Sequence, residues 1–475
     1  MLIYFLPKLQ DVKVIRIIQT FLNSKYSMFL IAALALISNI FSLEITVLYI
    51  YLSIVIIAML FCEDLLSLIP IACCSYYTFS RQNNPLSHDK TSVFLESAAK
   101  TNLFIIIGIT AVFAISRLVF EIVTKEEKRK LPKLTWGFVA LGLANVIGGI
   151  FSGYYDGRTA FFGFTQIASL CFCYFYFYFT VDFKKVKKSY FALLGTTIAV
   201  LLLFEIVGML YFSGFFSITE NFNRGLLYTG WGINNNVAAA MVMCLPAPFY
   251  YACKKKYGGI FLFLANLLMI SLFFVQSRNG IVFGLFVFAI CFFVTLFNTK
   301  KKNLPSLILT QFAFMILYAV TIFSAQEYIL EMFGSLIDKG LSDNGRYEIY
   351  RNGFKQFLEN PYFGNGFYEC GAYRWGDNSI GKFFPSRYHN TYIQILASCG
   401  LFAMIAYLYH RFETLKIVFK KINIEKVFMG LIVFALIVMS ILDCHFFNFG
   451  PGFLYSTILL LLEINLIKNE SLTIS

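Results

Sequence analysis

QEYILEMFGSLIDKGLSDNGRYEIYRNGFKQFLENPYFGNGFYECGAYRWGDNSIGKFFPSRY, residues 326–388, is the only large polar piece of a chain otherwise made of membrane-length apolar runs. It closes on Tyr388-His389-Asn390, at the mouth of the next apolar run. Of the 475 residues, 59% are hydrophobic and 14% charged, against about 25% charged in a globular chain. Each apolar run can cross a hydrocarbon core of about 30 Å as a helix. No stretch alternates with the period of two that a membrane β-barrel needs. The chain reads as an all-α polytopic membrane protein whose polar loop handles something part lipid and part polar at the membrane surface.

Working outward from the loop, fourteen transmembrane helices are expected, near 26–41, 45–62, 64–80, 102–123, 134–152, 160–181, 190–213, 236–252, 258–276, 280–298, 304–325, 389–409, 427–443 and 451–467. Helices 1–11 thus occupy 26–325 and helices 12–14 occupy 389–467, with the long loop, 326–388, between them and containing short helices. Residues 1–25 read as a cytoplasmic interfacial segment. There Val14, Ile15, Ile17, Ile18, Phe21 and Leu22 recur at helical spacing with Lys13, Arg16 and Gln19 between them. The interleaved basic residues and the lack of a small-residue cleavage site argue against a cleavable signal peptide. Residues 468–475 read as a cytoplasmic tail.

Lysine placement sets the orientation, because cytoplasmic loops retain positive charge. Alternate connections carry five basic residues in Lys125–Lys133, four in Lys184–Lys188, three in Lys254–Lys256, three in Lys300–Lys302 and five in Arg411–Lys426. The connections between them carry one each, Arg158, Arg224 and Arg278. Both termini are therefore expected inside and the 326–388 loop outside. The net charge of +13 is a topology signal rather than a sign of nucleic-acid binding.

Most of the eleven cysteines fall inside spans as small packing residues, and no Cys-x-x-Cys pair suggests zinc or redox chemistry. Only Cys370 and Cys444 read as external. Matched interrupted helices of the transporter kind are not visible. Glu205 is the exception to an apolar interior: either a functional carboxylate or a protonated acid bonded to a neighbouring helix.

The groups expected outside carry the chemistry. Asn223-Arg224-Gly225 and the Asn234-Asn235-Asn236 run precede the eighth span, where asparagine caps a helix and Arg224 beside a helix N-terminus suits an anion or anchors a headgroup. Gln276-Ser277-Arg278-Asn279-Gly280 is a turn too tight to let Arg278 leave the surface, and its guanidinium fork suits a lipid phosphate. In the loop, Arg346 to Glu359 reads as an amphipathic helix with Ile349, Tyr350, Phe354, Phe357 and Leu358 on one side. Pro361 ends it and Gly364-Asn365-Gly366 turns the chain. Seven basic residues face eight acidic ones there, so Arg346 and Arg387 are judged by position, as substrate-binding candidates with Asn390. The loop's aromatic residues suit sugar stacking or packing onto the spans. A helix N-terminus disfavours a protonated imidazole, so His389 at the start of the twelfth span is expected to accept a proton; it can equally be a hydrogen-bonded anchor. Asp443, in the turn with Cys444 and His445, is placed to orient His389 or receive a proton. No ligand spacing typical of a metal site is present.

Taken in order, Arg224, Ser277-Arg278-Asn279-Gly280, Gly345-Arg346 with an aromatic residue four positions on, Pro361 with Gly364-Asn365-Gly366, and His389-Asn390 with Gly400 resemble the O-antigen ligase and O-antigen polymerase family of bacterial membrane glycosyltransferases. The resemblance is clearest over 224–409. Tyr350 stands where the family often has Trp, and Asn279 where it usually has a small residue. The resemblance implies transfer of a glycan from undecaprenyl diphosphate to an acceptor glycan hydroxyl on the outer face of the bacterial cytoplasmic (inner) membrane. Two Arg side chains can neutralise the leaving diphosphate without a metal, the chain has no Asp-x-Asp pair, and no cofactor is expected. Arg278 and Arg224 would bind the diphosphate and His389 would activate the acceptor, with Asp443 a weaker carry-over. Membrane lipids and polysaccharide-assembly proteins are the expected company. Polymerisation of surface polysaccharide is favoured over ligation to a lipid A core or protein. A lipid-linked oligosaccharide transporter is the reading from another class.

Overall fold

The computed structural model describes residues 2, 11–41, 43–79, 97–124, 129–153, 155, 157–212, 234–275, 277–324, 345–367 and 388–471. Among them there is no strand. The helices, in chain order, are α1 (Lys13–Leu22), α2 (Lys25–Phe41), α3 (Glu44–Phe61), α4 (Ile69–Phe79), α5 (Ser97–Thr124), α6 (Thr135–Val146), α7 (Gly157–Thr180), α8 (Tyr190–Phe212), α9 (Asn234–Cys244), α10 (Pro246–Lys254), α11 (Gly258–Val275), α12 (Arg278–Asn298), α13 (Leu304–Ser324), α14 (Arg346–Glu359), α15 (Thr391–Phe419), α16 (Ile424–Met439) and α17 (Phe449–Ser471). Helices satisfy every backbone group internally, the condition for crossing lipid. Among the described residues nine are long and apolar enough to cross a membrane, and up to ten if the bent α1–α2 pair counts as one span. The chain is a multi-pass membrane protein.

The expected count of fourteen is not reproduced at that length. Thr135–Val146 stops after 12 residues, Leu66–Ser75 is another short apolar helix, and α16 has 16 residues. Apolar runs of membrane length include the irregular chain at helix ends, which composition alone does not separate from helix. Burial sorts the longer helices. The α9–α10 pair is 94% buried along its apolar window and α17 89%, whereas α5 and α13 are 17% and 11% buried. Small residues such as Ala238-Ala239-Ala240 let neighbours approach the α9 axis. Leu, Ile and Phe around α13 face outward.

The basic connections gather at one end. Lys133 and Lys420 both reach Glu470 (3.2 and 2.8 Å), Lys468 donates to the Val186 carbonyl at 2.6 Å, and Tyr250 donates to Glu425 at 3.1 Å. Two members of the Arg411–Lys426 set are exceptions to a count of loop charges: Arg411 and Lys426 are buried. Lys426 is held by the carbonyls of Ile417 and Lys420.

At the other end α15 is broken. Gly400 has φ +75° and ψ −168°, a left-handed conformation that a side chain would strain. An added Cβ would also lie 2.3 Å from the Tyr362 carbonyl oxygen. The backbone groups released by the break are taken by the Pro361–Gly366 turn. The Asn365 and Gly366 amides donate to the carbonyls of Ala397 and Ser398 (2.9 and 2.8 Å), and the Leu401 amide donates to Pro361 (2.8 Å). The Gly149 amide holds the turn from α6's side through the Phe363 carbonyl. Tyr392 and Tyr407 have ring centroids 5.7 Å apart, although a straight helix would separate their backbones by about 22 Å. The expected span 389–409 is thus two arms.

Gly400→Ala is expected to destabilise the protein by about 1–3 kcal/mol or more. Gly108→Ala in α5, where an added Cβ meets nothing within 4 Å, is expected to be neutral or stabilising. Thermal unfolding in detergent distinguishes the two outcomes.

Candidate active site

Asn390 begins α15. Its Oδ1 accepts from the Tyr392 and Ile393 amides (2.9 and 3.0 Å), satisfying donors that a helix start leaves open. Its Nδ2 donates to the Ile441 carbonyl at 2.8 Å. Nearby, the Thr391 amide donates to Ser440 (3.0 Å) and the Thr391 hydroxyl to the Asp443 carbonyl (3.1 Å). The start of α15 is therefore fastened to the chain just after α16, and the Asn390 side chain is committed to that joint.

His389, immediately before this cap, has φ 52°, a strained conformation for a non-glycine residue of the kind that clusters at functional sites. Its carbonyl accepts from the Tyr350 hydroxyl at 3.0 Å. Tyr350 keeps the donor that a Trp would bring to this position. The turn points the imidazole at Asp443, with Nδ1 3.3 Å from Oδ1, and the two side chains are 21% and 10% exposed. A carboxylate only accepts, so Nδ1 carries the hydrogen in the neutral ring and Nε2 the lone pair.

Asp443 Oδ1 also accepts from the Cys444 amide at 2.7 Å, and Oδ2 accepts from Asn235 Nδ2 at 2.9 Å. Burial by itself would raise the pKa of this acid. The hydrogen bond with His389, the charges of His445 and His389 and the Cys444 amide outweigh burial and hold it well below the usual carboxylate range.

From Asn235 the network continues. Its Oδ1 accepts from the Ser277 hydroxyl at 2.8 Å, and Ser277 Oγ in turn accepts from the Gly280 amide at 3.2 Å, capping α12. Arg278 is the first residue of that helix and is partly buried. Asn279 donates to the Leu442 carbonyl at 3.3 Å, which gives the unusual residue in this turn a task. Gly280 is required by contact: an added Cβ would stand 2.5 Å from Ala238 Cβ. The Ser-Arg-Asn-Gly turn is thereby pressed onto α9 and tied to the His389–Asp443 pair.

Arg346 is the first residue of α14, partly buried. The packed side of α14 takes in only part of the apolar side read from the sequence, Ile349 with Tyr350 against it. Ile349, Gly353 and Gln356 are buried while Phe354 and Leu358 are exposed, because Gln356 receives the Tyr388 hydroxyl and its carbonyl receives Asn365 Nδ2. Arg224, Arg387 and Cys370 lie outside the described residues. Cys444 is buried, its Sγ 3.6 Å from Gln394 Oε1. Glu205 is buried in α8. Asn235 was legible only as a helix cap, and Ser277 only as part of a turn. Nothing in their local spacing announces the bonds from Ser277 to Asn235 and from Asn235 to Asp443.

Residues 261–408 match a family model described as O-antigen ligase. The match covers the Ser277–Gly280 turn, α14, the Pro361–Gly366 turn, His389-Asn390 and Gly400, which bears out the resemblance read from the sequence. No curated protein matches the chain.

The folded pKa of Asp443 is depressed, so its stabilising effect is present above the unfolded value near 3.9 and is lost as pH falls through the folded value. Asp443→Asn is expected to lower the thermal midpoint at pH 7. The gap to the unsubstituted protein should narrow only under strongly acidic conditions. Midpoints measured from pH 7 down to pH 3 check this, and a gap already closed at pH 5 contradicts the assignment.

Proposed function

We propose that this chain is a glycosyltransferase of the O-antigen ligase type that polymerises cell-surface polysaccharide. In this reading it transfers a glycan from undecaprenyl diphosphate to a sugar hydroxyl of an acceptor glycan. The observation that carries the reading is the run of hydrogen bonds from His389 through Asp443 and Asn235 to Ser277. It couples a base to the helix start that bears a phosphate-binding arginine.

In the proposed reaction His389 Nε2 takes the proton of the acceptor hydroxyl as its oxygen attacks the anomeric carbon of the donor. The anomeric carbon–oxygen bond to phosphate breaks, and undecaprenyl diphosphate leaves with the electron pair. Asp443 stabilises the imidazolium that forms, as the acidic member of a triad does. Arg278 neutralises the leaving diphosphate, with Arg224 and Arg346 as further anion partners. Arg387, two residues before His389 in the chain, is the corresponding candidate there. The site is proposed to face outward, with both termini inside, because the gathered lysines mark the opposite end as cytoplasmic. Residues 326–388 would then hold the glycans outside the bacterial inner membrane. Polysaccharide-assembly proteins are the natural partners of such an enzyme.

Arg278→Lys is expected to lower kcat by about 10²–10³, the usual effect of losing one such donor, because a point charge does not reproduce the fork. His389→Ala should abolish transfer while leaving lipid-diphosphate binding. Purified protein with lipid-linked repeat units should yield a ladder of products. Product only on addition of a second acceptor points to a ligase, and translocation without bond formation to a transporter.

A further inference from the structure

Arg411 is a cation inside the bundle, 7% exposed. Its Nη1 donates to the Tyr455 hydroxyl at 2.7 Å and its Nη2 to the Tyr407 hydroxyl at 2.9 Å. The guanidinium carbon lies 4.8, 4.7 and 4.9 Å from the ring centroids of Tyr407, Phe446 and Tyr455. Among the described residues no carboxylate pairs with it, and its Nε has no hydrogen-bond partner. A buried charge without a counter-charge is a poor source of stability, and an apolar replacement of similar volume is often neutral or stabilising. An ionisable residue held inside a membrane bundle points instead to a role in function.

Two of the three rings around the guanidinium belong to elements that build the candidate site, and the third is on α17. Tyr407 lies on the distal arm of α15 and touches Tyr392 in the first turn of the proximal arm, two residues after Asn390. Phe446 lies three residues after Asp443 and packs on Tyr407 at 5.1 Å. Tyr455 lies on α17 and packs on Phe446 at 5.9 Å. His410, next to Arg411, reaches the same Tyr455 hydroxyl at 3.1 Å. Arg411 therefore stands between the backbone that carries His389 and the backbone that carries Asp443.

We infer that Arg411 is a positioning residue: its guanidinium clamps the two arms of α15 to the turn bearing Asp443 and so keeps the His389 imidazole in register with the Asp443 carboxylate. The planar fork matters because it serves two separated hydroxyls while stacking against rings. An ammonium cannot do both.

The test uses the full chain in nanodiscs with 15N-labelled histidine. There are four histidines, and His389→Gln assigns the His389 signal by its loss. In folded Arg411→Met the His389 titration midpoint is expected to move in the direction seen in Asp443→Asn, by at least half as much. Arg411→Lys is expected not to restore it. Only the kinetic arm rests on the transferase reading: kcat should fall on the order of 10- to 100-fold, with donor KM within about two-fold. An unmoved midpoint in folded Arg411→Met, or full recovery in Arg411→Lys, overturns the inference. Should Arg411→Met not fold, Tyr407→Phe and Tyr455→Phe each remove one hydroxyl and keep the ring. A partial shift in either supports the clamp, and no shift in both overturns it. A moved midpoint in a protein without transferase activity supports the clamp while removing the proposed function.

Discussion

A helix interrupted inside a membrane bundle must find partners for the backbone groups it releases, since lipid offers none. In this protein the break is at Gly400 and the partners are the amides and carbonyls of Pro361–Gly366. Much of the candidate site follows from that exchange. It anchors the polar segment after α14 to α15, brings the two arms of α15 to an angle, and lets Tyr392 and Tyr407 meet. Aromatic contacts seal the joint: Phe363 lies 5.0 Å from Phe151 and 5.1 Å from Phe402. A glycine is needed at the break both for its positive φ and for the carbonyl that approaches it.

Asp443 is the second fixed point. One buried carboxylate receives donors from three places far apart in the chain, His389, Asn235 and the adjacent Cys444 amide. Removing any donor would leave part of a desolvated charge unmatched, which is costly. Three helices begin around it: α9 at Asn234, α12 at Arg278 and α15 at Thr391. Helix starts carry partial positive charge, and all three carry Asn or Arg at or next to the first position. That arrangement supports a diphosphate as the ligand better than a neutral sugar alone would.

The sequence made the helical membrane class plain because hydropathy is a property of composition, and composition survives without coordinates. It also offered Pro361 and Gly364-Asn365-Gly366 as turn signals, and Gly400 only as part of the family resemblance. That the turn docks at Gly400 is a non-local fact, and spacing along the chain does not encode it. His389 and Asp443 were legible as a pair because both sit at span ends of the same expected side and both carry complementary chemistry. Asn235 was not, because an asparagine at a helix start already has a local explanation as a cap. The helix Arg346–Glu359 was legible to the residue, but the part of it that packs was not. Gln356 is buried by hydrogen bonds to Tyr388 and Asn365, whereas Phe354 and Leu358 stay exposed.

Arg411 shows why a count of basic residues reads topology better than it reads single residues. Its place near the end of an apolar run gives it the signature of a cytoplasmic anchor, the role that Lys416, Lys420 and Lys421 still suit from their exposed positions. The bend at Gly400 redirects the chain, so distance along the helix no longer measures depth. A residue eleven positions past the break then contacts Phe446, which lies on the Asp443 side. Buried cations of this kind persist when their surroundings are shaped for them: here two hydroxyls and three ring faces, with no carboxylate among the described residues. Such surroundings specify one arrangement of helices more sharply than apolar packing would, because a shifted ring or hydroxyl leaves charge unmatched. The geometry that the proposed chemistry needs, an imidazole held against a carboxylate, is of the same exacting kind.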